Sequence, residues 1–180
     1  FRPSVFERYQ RSDKALVAAI QEMVVQGVST RRVGAVLDRM ADFDVSAATV
    51  SRAMGELDEQ IERWRNRPLG ADAYPYLIID ARYEKVRQGA RVRSQAVLIV
   101  AGINEAGRRE MLGYWLGDSE SEATWSEALV DLKRLGLRGV ELIVSDAHKG
   151  IRKALERHFQ GAAWQRCRVH RMREMLNKVS

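Results

Sequence analysis

A chain of 180 residues, 46% hydrophobic and 30% charged, has material for one domain of ordinary size and a small accessory one. No apolar run approaches the roughly 20 residues that cross a bilayer, and charges scattered through residues 1–30 argue against a signal peptide, so a cytoplasmic, non-membrane protein is expected. The single cysteine, Cys167, excludes an intrachain disulfide framework, and the formal net charge of +6 favours a polyanionic partner.

The first 67 residues read as helices. KALVAAIQEMVVQG spaces Leu16, Ile20, Met23 and Val24 along one face and meets Gly27 as a stop. STRRVGAVLDRM starts at a capping Ser29 or Thr30 and turns Val33, Val36, Leu37 and Met40 inward. After a short break, ADFDV, the stretch SAATVSRAMGELDEQIERW takes Ser46 as its cap and repeats Val50, Met54, Leu57 and Ile61 on one side. Two short helices joined by a turn fit a helix-turn-helix, with Ser46, Thr49, Ser51 and Arg52, and Arg31 and Arg32 on the preceding helix, as DNA-facing candidates. A plain three-helix bundle fits the same periodicity. Pro68 and Gly70 break the helical pattern, so residues 1–67 are read as a helical domain, 68–74 as a linker and 75–180 as a second domain.

From Pro75 the period changes to that of strands. YLIID, a basic turn RYEKVRQGARVR, SQAVLIVAGIN, the turn NEAGRR and EMLGYWLG predict three strands in an antiparallel meander. DSESEATWSEALVDLKRLG predicts a helix with a capping box of Ser119 and Glu122, an inward face of Trp125, Ala128, Leu129 and Leu132, and a stop at Gly136. A strand over GVELIVSD, a helix over GIRKALERHF, a strand over AAWQRCRVH and the start of an uncapped helix complete the succession. Three strands, helix, strand, helix, strand, helix is the order of the ribonuclease H-like fold. The overall expectation is α+β: a helical, helix-turn-helix-like domain followed by a ribonuclease H-like mixed-sheet domain that is incomplete at its C-terminus. The opening Phe1 and the uncapped close predict a piece of a longer protein.

Two of these strands end alike. YLIID and LIVSD are apolar runs that finish in Asp80 and Asp146, each followed by alanine. If the two strands are parallel neighbours, the carboxylates meet across the sheet, where they repel unless a cation is shared. Magnesium prefers such hard oxygen ligands, and two ions roughly 4 Å apart would serve phosphodiester chemistry. Taken singly, each aspartate also fits a turn or a cap. Arg82, Lys85, Arg87, Arg91 and Arg93, opposed only by Glu84, form a basic cluster beside Asp80 suited to nucleic acid or simply to solvent. His148 could reach a phosphate or a metal-bound water, or serve the turn. Cys167 and His170 offer two ligands where structural zinc takes four, so zinc is not expected, and site support stands beside an ordinary packing role.

IIDARYEKVR, GINEAGRREMLGYWLGDSESEATW, IVSDAHKGI and WQRCRVHRMREML, in this order, resemble the mutator-type transposases of bacterial insertion sequences. The resemblance is strong over residues 75–180 and weak over the helical front. It implies a DDE transposase with a ribonuclease H-like core, in which Asp80 and Asp146 are the first two catalytic acids and metal ligands. A third acid, a glutamate, would lie downstream of this chain. It further implies Mg2+ or Mn2+ in a two-ion site expected only in the complete protein, terminal inverted repeats and target DNA as double-stranded partners, a homodimer, and a bacterial cytoplasmic, nucleoid-associated location. The Cys-x-x-His of Cys167 and His170 matches a signature of the family. A DNA-binding regulator without catalysis, and a structure-selective nuclease of the same fold, remain alternative readings.

Overall fold

A computed structural model of the chain describes residues 4–41 and 45–179, with side chains described from Lys14 onward except those of Met40, Ala41 and Gln88. The chain divides into two compact units, Phe1–Trp64 and Arg65–Ser180.

The first unit holds α1 (Ser4–Val25), α2 (Thr30–Ala41) and most of α3 (Ala47–Arg65). The apolar stripes of α1 and α2 turn inward, but of the stripe expected on α3 only Val50 is buried, with Met54, Leu57 and Ile61 half-buried. Ile20, Val33, Leu37, Val50 and Ala53 are buried, with Leu16, Met23 and Val24 packed against them. Ser46 caps α3 as expected, its Oγ accepting from Thr49 N at 3.2 Å, and Gln21 of α1 donates to the Ala53 carbonyl of α3 at 2.7 Å. The helix α1 begins ten residues before the expected Lys14, in a stretch with no glycine or proline to stop it. The inward placement of Met40 and the break at 42–44 lie outside the described residues.

The second unit contains β1 (Tyr76–Gln88), β2 (Arg91–Ile103), β3 (Arg109–Gly117), α4 (Glu122–Arg134), β4 (Leu142–Ser145), α5 (Lys149–His158), β5 (Ala163–Arg166) and α6 (Arg168–Leu176). They build one mixed sheet in the order β3-β2-β1-β4-β5. The first three strands are antiparallel, β4 runs parallel to β1, and β5 parallel to β4. This is consistent with a ribonuclease H-like core. One face of the sheet, with Leu77, Ile79, Leu98, Val100 and Ile143, is buried together with Trp125, Ala128, Leu129 and Leu132 of α4 and Ile151, Ala154 and Leu155 of α5. On β2 burial alternates with the pleat from Gln95 to Ile103, whereas Arg91–Ser94 are all exposed. Tyr76, Ile78, Met111 and Leu116 on the other face are exposed.

Several expectations need correction. RYEKVRQGARVR is not a long turn: β1 and β2 continue through it, closed by the two residues Gly89 and Ala90. Gly89 takes φ 60°, the conformation that a two-residue hairpin requires near its start and that suits glycine. The dense positive charge does not break a strand whose two faces both meet water. The α4 cap is Ser121, two residues later than expected, accepting from Thr124 N at 3.1 Å. The Ser119–Glu122 box does not form, because Glu122 already lies inside the helix. β5 stops at Arg166, and Arg168–His170 belong to α6. Within the stretch read as a linker, Leu69 and Tyr74 are buried in the second core, and their N–H groups donate to the carbonyls of Leu135 and Arg138.

Candidate active site at the parallel strand ends

The parallel register pairs Ile78 with Val144. Asp80 and Asp146 each lie two residues further on, so the two acids stand level at adjoining positions of neighbouring chain segments. Asp146 closes a tight turn, its Oδ1 accepting from His148 N at 3.1 Å. Asp80 Oδ1 accepts from Ala81 N at 3.0 Å, and its side chain is 58% exposed. Among the described residues both carboxylates make these bonds through Oδ1.

Two histidines border the acids. His148 caps α5, its Nδ1 accepting from Gly150 N at 3.3 Å, so the turn role expected of it is filled. His170 Nε2 lies 3.9 Å from Asp80 Oδ1, too far for a direct hydrogen bond, and its Nδ1 is buried without a partner among the described residues. Cys167 is half-buried at the cap position of α6, with no side-chain capping bond. Its backbone N donates to the Ser145 carbonyl at 2.6 Å, which ties the start of α6 to the residue before Asp146. The Cys-x-x-His pair thus brackets the two acids, one residue by backbone and one by side chain.

Glu120, which the sequence reading passed over, belongs to the same cluster. Its backbone N donates to the Tyr83 hydroxyl at 3.2 Å, and its carboxylate lies 3.8 Å from His148 Nδ1 with the side chain only 12% exposed. Burial pushes the Glu120 carboxyl above the usual range. The nearby charge of His148 opposes that shift, and the charges of Asp146 and Asp80 add to it. The signal in the sequence was an acid just before a helix cap, a position easily taken for a solvated helix end.

A prediction follows from the sign of this shift. An acid whose pKa is higher in the folded than in the unfolded chain weakens the fold as pH rises from the unfolded value through the folded one. Glu120→Gln, which keeps the shape and removes the charge, is expected to raise the urea midpoint at pH 7 and leave it unchanged at pH below 4, where the native glutamate is protonated too. Urea titrations at the two pH values check this.

The donor set fits a hard divalent cation of the magnesium type, which is bound through one or two carboxylates and keeps water and phosphate oxygens as its other ligands. Among the described residues no three His, Cys, Asp or Glu side chains come together closely enough to hold a metal of any kind by themselves, so water and phosphate oxygens would have to supply the other ligands. The remaining sequence candidates lie elsewhere. Arg31, Arg32, Ser46, Thr49, Ser51 and Arg52 are in the first unit, where the Ser46 and Thr49 hydroxyls bond each other at 3.0 Å. Arg82 pairs with Glu84 on β1, while Lys85, Arg87, Arg91 and Arg93 are exposed further along the hairpin. No helix of the described residues is long and apolar enough to cross a membrane.

The family model described as "Transposase, Mutator family" matches residues 1–180. The chain is 43% identical over 179 residues to the transposase for insertion sequence element IS256 in transposon Tn4001 of Staphylococcus aureus, covering 99% of this chain and 46% of that protein. It is 48% identical over 179 residues to the transposase for insertion sequence element ISRM5 of Rhizobium meliloti, covering 99% and 45%. The chain spans about half the length of the curated relatives it matches. Among solved structures, the Mos1 transposase paired-end complex with left transposon end aligns with a TM-score of 0.34 at 13% identity, covering 83% of this chain and 57% of that one. That likeness is too loose to build on, and the fold reading rests on the strand order above. The family match over the whole chain and the identities to its members agree: the chain belongs to the Mutator family of transposases.

Proposed function

We propose that the chain is part of a DDE-type DNA transposase with a ribonuclease H-like catalytic domain, which cleaves DNA at the ends of an insertion sequence and joins them to a target. The single observation that carries the reading is the level placement of Asp80 and Asp146 on neighbouring parallel segments, in a member of this family. In this reading the two aspartates hold Mg2+ or Mn2+. When bound, the cation stabilises the charge that builds on the phosphate and the leaving oxygen. The third carboxylate comes from the part of the protein that the relatives have and this chain does not span. With two of three acids, the 180-residue chain is expected to bind Mn2+ weakly and to cleave no DNA.

The chain's own residues have definite tasks. The turn from Asp146 to His148 fixes one carboxylate, and His170 borders the other. Exposed Arg31, Arg32 and Arg52 of the first unit would contact the terminal repeats in a helix-turn-helix arrangement, one copy of the protein per DNA end in a homodimer. The basic β1–β2 hairpin adds sequence-independent contacts to phosphate. The deciding experiment is a DNA-end cleavage assay with the full-length transposase in Mg2+, comparing the native protein with Asp80→Asn and Asp146→Asn. Cleavage that persists in both variants would remove the assignment of this site. A native full-length protein that binds the DNA ends but cleaves none would instead favour a second reading, a DNA-binding module without catalysis.

A further inference from the structure

We propose that the outer β1–β2 hairpin is a track for a DNA duplex on one face only, the face that carries Asp80; this rests on the transposase reading above. The hairpin is a free-standing ribbon. β4 pairs with β1 only over Tyr76–Ile78, and β3 pairs with β2 no further out than Ala96, so from the pair Glu84 and Gln95 outward the two strands bond only each other.

The register divides its basic side chains into two sets. Side chains alternate along a strand, and directly opposed residues share a face. Asp80 therefore shares its face with Arg82, with Arg93 opposite Val86, and with Arg91 opposite Gln88. Lys85 and Arg87, opposite Ser94 and Val92, lie on the other face. Two contacts bear out the division. Arg82 pairs with Glu84, two residues along the same side, and Tyr83, from the other set, meets the Glu120 backbone at the start of α4.

Among the described residues Arg91 and Arg93 on the Asp80 face form no ion pair, and Lys85 and Arg87 on the other face form none either, so what sets the first face apart is that it leads to Asp80. Glu84 is the only acid between residues 82 and 94 and is taken up by Arg82. Arg91 and Arg93 are exposed, two positions apart on one face, where like charges repel. An anionic partner relieves that repulsion. The dimensions suit a duplex: eight residues at about 3.3 Å take the ribbon about 26 Å from Asp80 to the level of Arg91, and about eight phosphates of one DNA strand occupy that length. A two-stranded ribbon is also narrow enough to enter a major groove. The partner would thus be held along the line that leads to the acids.

The test is fluorescence anisotropy of a labelled duplex of about 30 base pairs and arbitrary sequence, titrated with the 180-residue chain at several KCl concentrations between about 50 and 200 mM. Arg91→Ala with Arg93→Ala is expected to weaken binding at least tenfold at about 100 mM, and to flatten the plot of log affinity against log salt by about 1.8, two contacts at about 0.9 each. Lys85→Ala with Arg87→Ala removes the same charge from the other face and is expected to stay within about threefold, with the slope unchanged. Equal losses in the two double variants would overturn the face assignment. An unaltered Arg91 and Arg93 variant would overturn the ribbon as a DNA surface. Neither result touches the acids, whose role stands or falls on cleavage by the Asp80→Asn and Asp146→Asn proteins.

Discussion

Asp146→Asn in the full-length transposase is expected to lower DNA-end cleavage by at least three orders of magnitude, about 4 kcal/mol of transition-state stabilisation, while duplex binding changes by less than about threefold. The asparagine keeps an Oδ1 that can accept from His148 N, so the turn after β4 and the cap of α5 survive. What it loses is the negative charge, and with it one of two hard ligands for the cation. Asp80→Asn has the same logic, since the bond from Ala81 N also goes to Oδ1. The double variant is expected to be scarcely worse than either single one, because ligands of one site act as a unit. Single-turnover cleavage beside an anisotropy titration separates the two readouts.

Trp125→Ala is expected to destabilise the second unit by about 3–5 kcal/mol, the cost of removing a large buried aromatic side chain. Trp125 is fully buried on the inner face of α4, among side chains of the sheet core. Its Nε1–H is buried with no partner among the described residues, and such an orphaned donor costs about 1–3 kcal/mol. Trp125→Phe removes that donor while keeping most of the ring volume, so it should recover much of the loss. Urea unfolding of the two variants decides the point. If phenylalanine were as damaging as alanine, the indole N–H would have to be satisfied in the folded chain.

The backbone of this reading was legible because burial imposes period and length. Leu77–Ile79 and Ile143–Val144 are short apolar runs that mark strands, covered on the face of Leu77, Ile79 and Ile143 while Ile78 is exposed on the other, and each run is followed closely by an acid that a core does not tolerate. The inward faces of α4 and α2 follow for the same reason. What was illegible lies where burial is weak. Between Arg82 and Ser94 neither strand face is covered, so no hydrophobic alternation marks the ribbon, and only Gly89 announced a tight hairpin. The capping shift from Ser119 to Ser121 turns on which of two hydroxyls finds a free N–H, and Ser121 reaches that of Thr124. Glu120 is local to nothing it interacts with in the sequence: His148, Asp80 and Asp146 reach it only through the fold.

Gly150 carries a consequence for charge. A side chain at this position would meet the Glu120 carbonyl at 2.6 Å and Glu122 N at 3.1 Å, so only glycine lets the first turn of α5 lie against the first turn of α4. Two helices therefore begin side by side, and each beginning carries roughly half a positive charge from its aligned peptide dipoles. The surrounding acids, Glu120 and Asp146, thus face a fixed positive backbone field as well as one another. The two helix starts set a positive backbone field against the mutual repulsion of these acids.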